Sequence, residues 1–136
     1  MKKFAVLLLS LVTFVSCNQT PLVSPFAGTW AGLFSVKIGN DAPIDPAGEI
    51  TVIIANDGKL NGTIANPQSG PGSITSGTVN AQGAFAAKYF YDSDKSAILD
   101  LAGTVAITNS KLVGINLSNT DNGKEIAKVS FSLTKK

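Results

Sequence analysis

From Thr29 onward apolar and polar residues alternate with a period of two, and no window long enough for a helix shows apolar residues at helical spacing. Successive side chains of a strand point to opposite faces, so this alternation defines a buried face strand by strand. In the first run Trp30, Gly32, Phe34, Val36 and Ile38 share that face. Ile50, Val52 and Ile54 follow, then Leu60, Gly62 and Ile64, then Thr75, Gly77 and Val79. The later runs offer Phe85, Ala87, Tyr89 and Tyr91; Leu99, Leu101, Gly103, Val105 and Ile107; and Val129, Phe131 and Leu133. Between Lys111 and Ser118 the parity is open: either Leu112, Gly114 and Asn116 turn inward, or Val113, Ile115 and Leu117 do, the second choice burying more apolar surface. The domain is therefore expected to be all-β.

Short turn signals separate these runs: Asn56-Asp57-Gly58, Asn80 to Gly83, Asp92-Ser93-Asp94, Thr108-Asn109-Ser110 and Asp121-Asn122-Gly123. Such residues tolerate positive φ or bond their own backbone, which makes successive strands antiparallel neighbours. Two connections read as longer surface loops, Gly39 to Ala47 with Pro43 and Pro46, and Asn66 to Gly72 with Pro67 and Pro71. Gly-Thr followed by a large apolar residue recurs at Gly28, Gly62, Gly77 and Gly103, and glycines within strands allow the bends that close a small barrel. An eight-stranded antiparallel up-and-down β-barrel over residues 28–136 uses every run and leaves no open edge.

Ahead of this domain, Met1-Lys2-Lys3 is a basic n-region and Phe4 to Val15 an apolar stretch too short to cross a bilayer, which needs about 20 residues. Residues 1–16 thus read as a signal peptide. Phe14-Val15-Ser16-Cys17 resembles the lipobox of bacterial lipoproteins, with Phe14 where Leu is usual. That resemblance implies attachment of a diacylglycerol to the Cys17 thiol and cleavage before Cys17, with palmitate as the typical chain; an ordinary signal-peptidase site is the alternative. Residues 17–27, uncharged and holding Pro21 and Pro25, read as a lipidated Cys and a flexible tether. The implied location is the cell envelope, attached to the membrane through the lipid, and in a Gram-negative host the outer membrane or cell surface, since Asn18 rather than Asp follows the Cys.

Composition then narrows the chemistry. The chain has no His and one Cys, so the commonest general base and the usual zinc ligands are lacking and no intrachain disulfide can form. Every basic residue is Lys, and without Lys2 and Lys3 nine face nine acidic residues, a balance that argues against nucleic acid. Asp92-Ser93-Asp94-Lys95-Ser96 starts like a calcium loop, but Ala97 and Gly103 stand where the required Gly and the bidentate Glu would be. Asp41 and Asp45 lie in a loop that nothing buries. No cofactor, metal or catalytic group is expected, and the reading is that of a non-enzyme.

Gly28-Thr29-Trp30 opening the first strand, Gly58 to Ile64 after a tight turn, and the eight-strand meander resemble the lipocalin-like and avidin-like (calycin) barrels. The resemblance implies a Trp packed at the closed end of the barrel, often against an Arg from the last strand, and this chain has no Arg. Trp30 is also its only Trp, so the tryptophan-lined biotin site of avidins is not implied. The inward aromatics Trp30, Phe34, Phe85, Tyr89, Tyr91 and Phe131 either fill the core or line a pocket for one small apolar or amphipathic ligand, whose candidate residues are the first five with Asn116 in one parity. Two Tyr on one face point to the pocket, because a buried hydroxyl needs a partner and often sits near a mouth. The alternative is a protein that works through its outer face, such as a hydrolase inhibitor or a structural envelope component, for which outward Leu33, Ile53 and Phe90 are the candidates.

Overall fold

The computed structural model describes residues 23–136; the signal sequence, Cys17 and the first part of the tether lie outside them. Eight strands follow in order: β1 (Gly28–Lys37), β2 (Ile44–Ile54), β3 (Lys59–Asn66), β4 (Gly70–Val79), β5 (Ala84–Tyr91), β6 (Asp94–Thr108), β7 (Lys111–Asp121) and β8 (Lys124–Lys135). Each pairs antiparallel with its neighbour, and β1 pairs with β8, so the sheet is a closed up-and-down barrel with no helix among the described residues. This is the all-β architecture that the alternation predicts. Connections β2–β3, β4–β5 and β6–β7 lie at one end and the other four at the opposite end.

The alternation holds over most of the regular stretches. Ile50, Val52 and Ile54 are buried, as are Leu60 and Ile64, and Val129, Phe131 and Leu133. It fails where one strand carries an extra residue. In β4 Ile74 pairs with Tyr89 and Ser76 with Lys88, so Thr75 is looped out of register. Ile74 is buried and Thr75 exposed, the reverse of the expected facing, because a one-residue bulge exchanges the two faces of everything before it.

β7 resolves its open parity by using both. Gly114 pairs with Phe131 and Leu117 with Val129, which leaves Ile115 and Asn116 opposite one residue of β8. Asn116 takes φ 55°, a left-handed conformation that Asn accepts more readily than most residues, and its N–H donates to Ser130 Oγ at 2.9 Å. Leu112 and Gly114 therefore face inward before the bulge, and Leu117 and Asn119 after it. Asn116 itself is exposed on the outside of the barrel, which corrects its expected inward position. Ile107, expected inside, is also exposed near the end of β6.

The longer connections are shorter than the prolines suggest. β2 begins at Ile44, and Pro46 sits where β2 bulges between its pairs to Val36 and Phe34 and has no pairing with β3, a place where a residue without an N–H is tolerated. β3 and β4 extend to Asn66 and Gly70, which leaves residues 67–69 as a three-residue turn and pairs Pro71 with Ala65.

The core is continuous, and its filled end is where the chain enters. Phe26, which the sequence places in the tether, is buried, with Ser24 N–H donating to Asn56 O at 2.8 Å. Trp30 is 3% exposed and its Nε1–H donates to Phe26 O at 2.8 Å. In the absence of an Arg, Lys135 of β8 stands over the Trp30 ring with Nζ 5.5 Å from the centroid. Gly28 makes room for that stem: it adopts φ 135°, and a Cβ there would lie 2.5 Å from Lys135 Cε. Above this plug Phe85 and Phe131 meet edge to face at 6.2 Å, amid fully buried Leu112, Leu117 and Leu133.

Candidate functional site

The barrel is open at the end away from Trp30. A cavity of about 370 Å³ opens at the end formed by the β1–β2, β3–β4, β5–β6 and β7–β8 connections. Its apolar wall comes from alternate inward positions: Phe34 and Val36 on β1, Ile64 on β3, Leu99 and Leu101 on β6, and Val129 on β8. Ala47 and Ala127 are the small inward residues that leave the space. A volume near the lower end of the usual ligand-site range, about 300–1,000 Å³, suits one small molecule.

Two tyrosine–asparagine pairs supply the polar groups. Tyr89 Oη donates to Asn119 Oδ1 at 2.9 Å, both residues being buried and 30 positions apart in the chain. Nearer the mouth, Asn66 Nδ2 donates to Tyr91 Oη at 2.8 Å, while Asn66 Oδ1 accepts from the N–H groups of Gln68 and Ser69 at 2.9 and 2.6 Å. The turn thus orients Asn66, and Asn66 orients the Tyr91 hydroxyl. The tyrosine rings meet edge to face at 5.8 Å and 88°.

Of the six residues singled out from sequence as ligand-binding candidates, Phe34, Tyr89 and Tyr91 line this cavity. Trp30 and Phe85 are buried in the filled part of the core, and Asn116 is outside. The polar lining residues that the sequence reading did not single out are Asn66, Gln68, Ser69 and Asn119. Asn66 falls within what reads as a loop, and Asn119 lies past the unrecognised bulge; the buried tyrosine hydroxyls signalled that partners must exist without identifying them.

Elsewhere the polar groups satisfy one another locally. The Asp94 carboxylate accepts from Ser96 Oγ at 2.6 Å and Ser96 N at 3.2 Å, which holds its pKa below the usual carboxylate value and makes residues 92–96 a self-capped hairpin tip. Lys88 and Asp100 pair at 2.6 Å across the outer face of β5 and β6. Every described lysine is exposed except the half-buried Lys128.

Both phenols are held in their neutral form. Burial, and then the nearby Tyr91, push the Tyr89 pKa well above its usual 10.0, outweighing the hydrogen bond to Asn119 that favours ionisation; burial likewise raises Tyr91 against its bond from Asn66. A raised folded-state pKa contributes stability that is complete below the unfolded value near 10 and is lost as pH rises above it. The melting temperature should therefore fall above about pH 10, and less steeply in Tyr89→Phe and Tyr91→Phe than in wild type. These are the only two Tyr in the chain, so phenolate absorbance can be read alongside without interference; a fall of equal slope in all three proteins would show that the phenols play no part.

No family model matches the chain, and no curated protein or solved structure matches it significantly.

Proposed function

We propose that this is a non-catalytic cell-envelope lipoprotein of calycin-like architecture whose barrel binds one small apolar or amphipathic molecule. The observation that carries the binding reading is the cavity itself: an open, mostly apolar chamber with two oriented hydroxyl–amide pairs, in a barrel whose other half is packed solid. A binding chamber of this kind needs a few placed polar groups in an apolar wall, and no nucleophile or base among them. Native mass spectrometry of protein released from its own membranes should show an adduct on the order of a few hundred daltons.

The envelope assignment rests on the signal pattern and on Cys17. Diacylation would hold the protein at a membrane effectively permanently, at about 0.8 kcal/mol per buried CH₂. Cys17→Ser should abolish incorporation of a palmitate analogue and move the protein out of the membrane fraction, or leave it as uncleaved precursor. Wild-type protein that takes up no label and fractionates as soluble would make this a secreted barrel instead.

A second reading, in which the outer surface is the working part, is favoured by one feature. Leu33, Val113 and exposed Ile115 line one shallow hollow over β1, β8 and β7. Ile53 and half-buried Phe90 lie apart from it, opposite Thr29 and Asn61 and opposite Ser73 respectively. An adduct of protein mass that Ile115→Lys removes would support this reading over the first.

A further inference from the structure

Which molecules the chamber accepts follows from where its polarity lies. None of the residues lining the cavity carries a charge: its polar members are two Tyr, two Asn, one Gln and one Ser. The lip carries three isoleucines, Ile38 51%, Ile44 49% and Ile126 42% exposed, beside Gln68 and Ser69 of the β3–β4 turn, while Asn119 is only 6% exposed and faces the interior. A ligand with its ionic head at that lip and its tail inside would leave its hydrocarbon beside the Tyr89–Asn119 pair.

The interior has hydrogen-bonding capacity to offer. Asn119 Oδ1 is taken by Tyr89, whereas Asn119 Nδ2 has no partner among the described residues and is not sealed from the cavity. Tyr91 Oη accepts from Asn66 and keeps its own proton to donate. Both are neutral donors, and both phenols stay protonated through the physiological range. A carboxylate or ammonium carried to that depth would shed its hydration with no opposite charge to meet it, a cost far above that of a hydroxyl or carbonyl, which needs only one hydrogen bond.

Resting on the binding reading above, we infer that the ligand is an uncharged molecule with a hydroxyl, carbonyl or amide group, bound with that group inward against Asn119 and its hydrocarbon against the isoleucines of the lip. Fatty acids and alkylamines in their ionised forms are excluded from its ligand class.

The test uses the purified protein at neutral pH with the neutral dye N-phenyl-1-naphthylamine as reporter, displaced by decan-1-ol, decanoate or decylammonium below their aggregation limits. Decanol should compete at least about tenfold more tightly than either ion. The double variant Tyr89→Phe/Asn119→Leu removes both members of the buried pair, which spares the fold an orphaned polar group. It should bind decanol about five- to tenfold more weakly than wild type does. Decanoate or decylammonium equal to decanol on the wild-type protein would overturn the neutral-ligand inference while leaving the chamber a binding site. Unchanged decanol affinity in the double variant would overturn the inward orientation. A wild-type protein that binds neither dye nor alcohol would overturn the binding reading and this inference together. The wild-type selectivity decides the ligand class even if the double variant does not fold.

Discussion

Trp30→Ala should lower the stability of the domain by about 3–5 kcal/mol, a large part of the total for a barrel of this size. The side chain is buried at the filled end, its indole N–H satisfies the Phe26 carbonyl, and its ring supports Lys135. Truncation would empty the plug, orphan the Phe26 carbonyl and loosen the segment that carries Phe26 into the core. Urea denaturation followed by circular dichroism would measure it. Trp30→Phe separates the contributions, since it keeps most of the apolar contact and loses the donor; about 1–2 kcal/mol is expected for that change. A Trp30→Ala protein with an unchanged midpoint would mean that Phe26 and Trp30 do not close this end. The dye affinity of any folded fraction should be unaffected, because Trp30 does not line the cavity.

The converse separation is expected at the other end. Ala127 is a small inward residue of β8 beside Asn119, and its replacement by Phe directs a ring into the chamber. Binding of the neutral dye should fall by at least about 100-fold, equivalent to about 2.7 kcal/mol, while stability changes by less than about 1.5 kcal/mol because the added ring enters existing space. Equal dye affinity in wild type and Ala127→Phe would place the dye outside the barrel, with the hollow beside Ile115 as the place to look.

The contrast between those two ends also explains what could be read from sequence. Period-two alternation and turn residues specify strand number, order and most of the core, because each regular strand reports its facing independently. The bulges at Thr75 and at Ile115–Asn116 are invisible to that rule, and each reverses the facing on one side of itself. Asn116 did offer a local signal, since Asn inside an apolar run is a residue that accepts positive φ. Filled core and open chamber are harder to distinguish, because both use inward aromatics. Phe85 and Tyr89 lie four residues apart on the same face of β5, yet one packs against Phe131 and the other borders empty space. Whether a barrel layer is full depends on the summed volumes of side chains from all eight strands, and here Ala47 and Ala127, distant in sequence, leave the gap.

Both ends of the described chain leave from the plugged pole: Ser24 bonds to Asn56, and Lys136 N–H bonds to Thr29 O at 2.8 Å. Anything joined to either terminus is therefore held at the pole opposite the mouth. With a lipid on Cys17, seven residues before Ser24 and so within about 25 Å of it at full extension, the mouth would look away from the bilayer. Cargo would then be exchanged with the aqueous phase, from molecules that diffuse past, rather than drawn laterally out of the membrane. The same polarity means that the protein can be immobilised through its C-terminus with its chamber unobstructed.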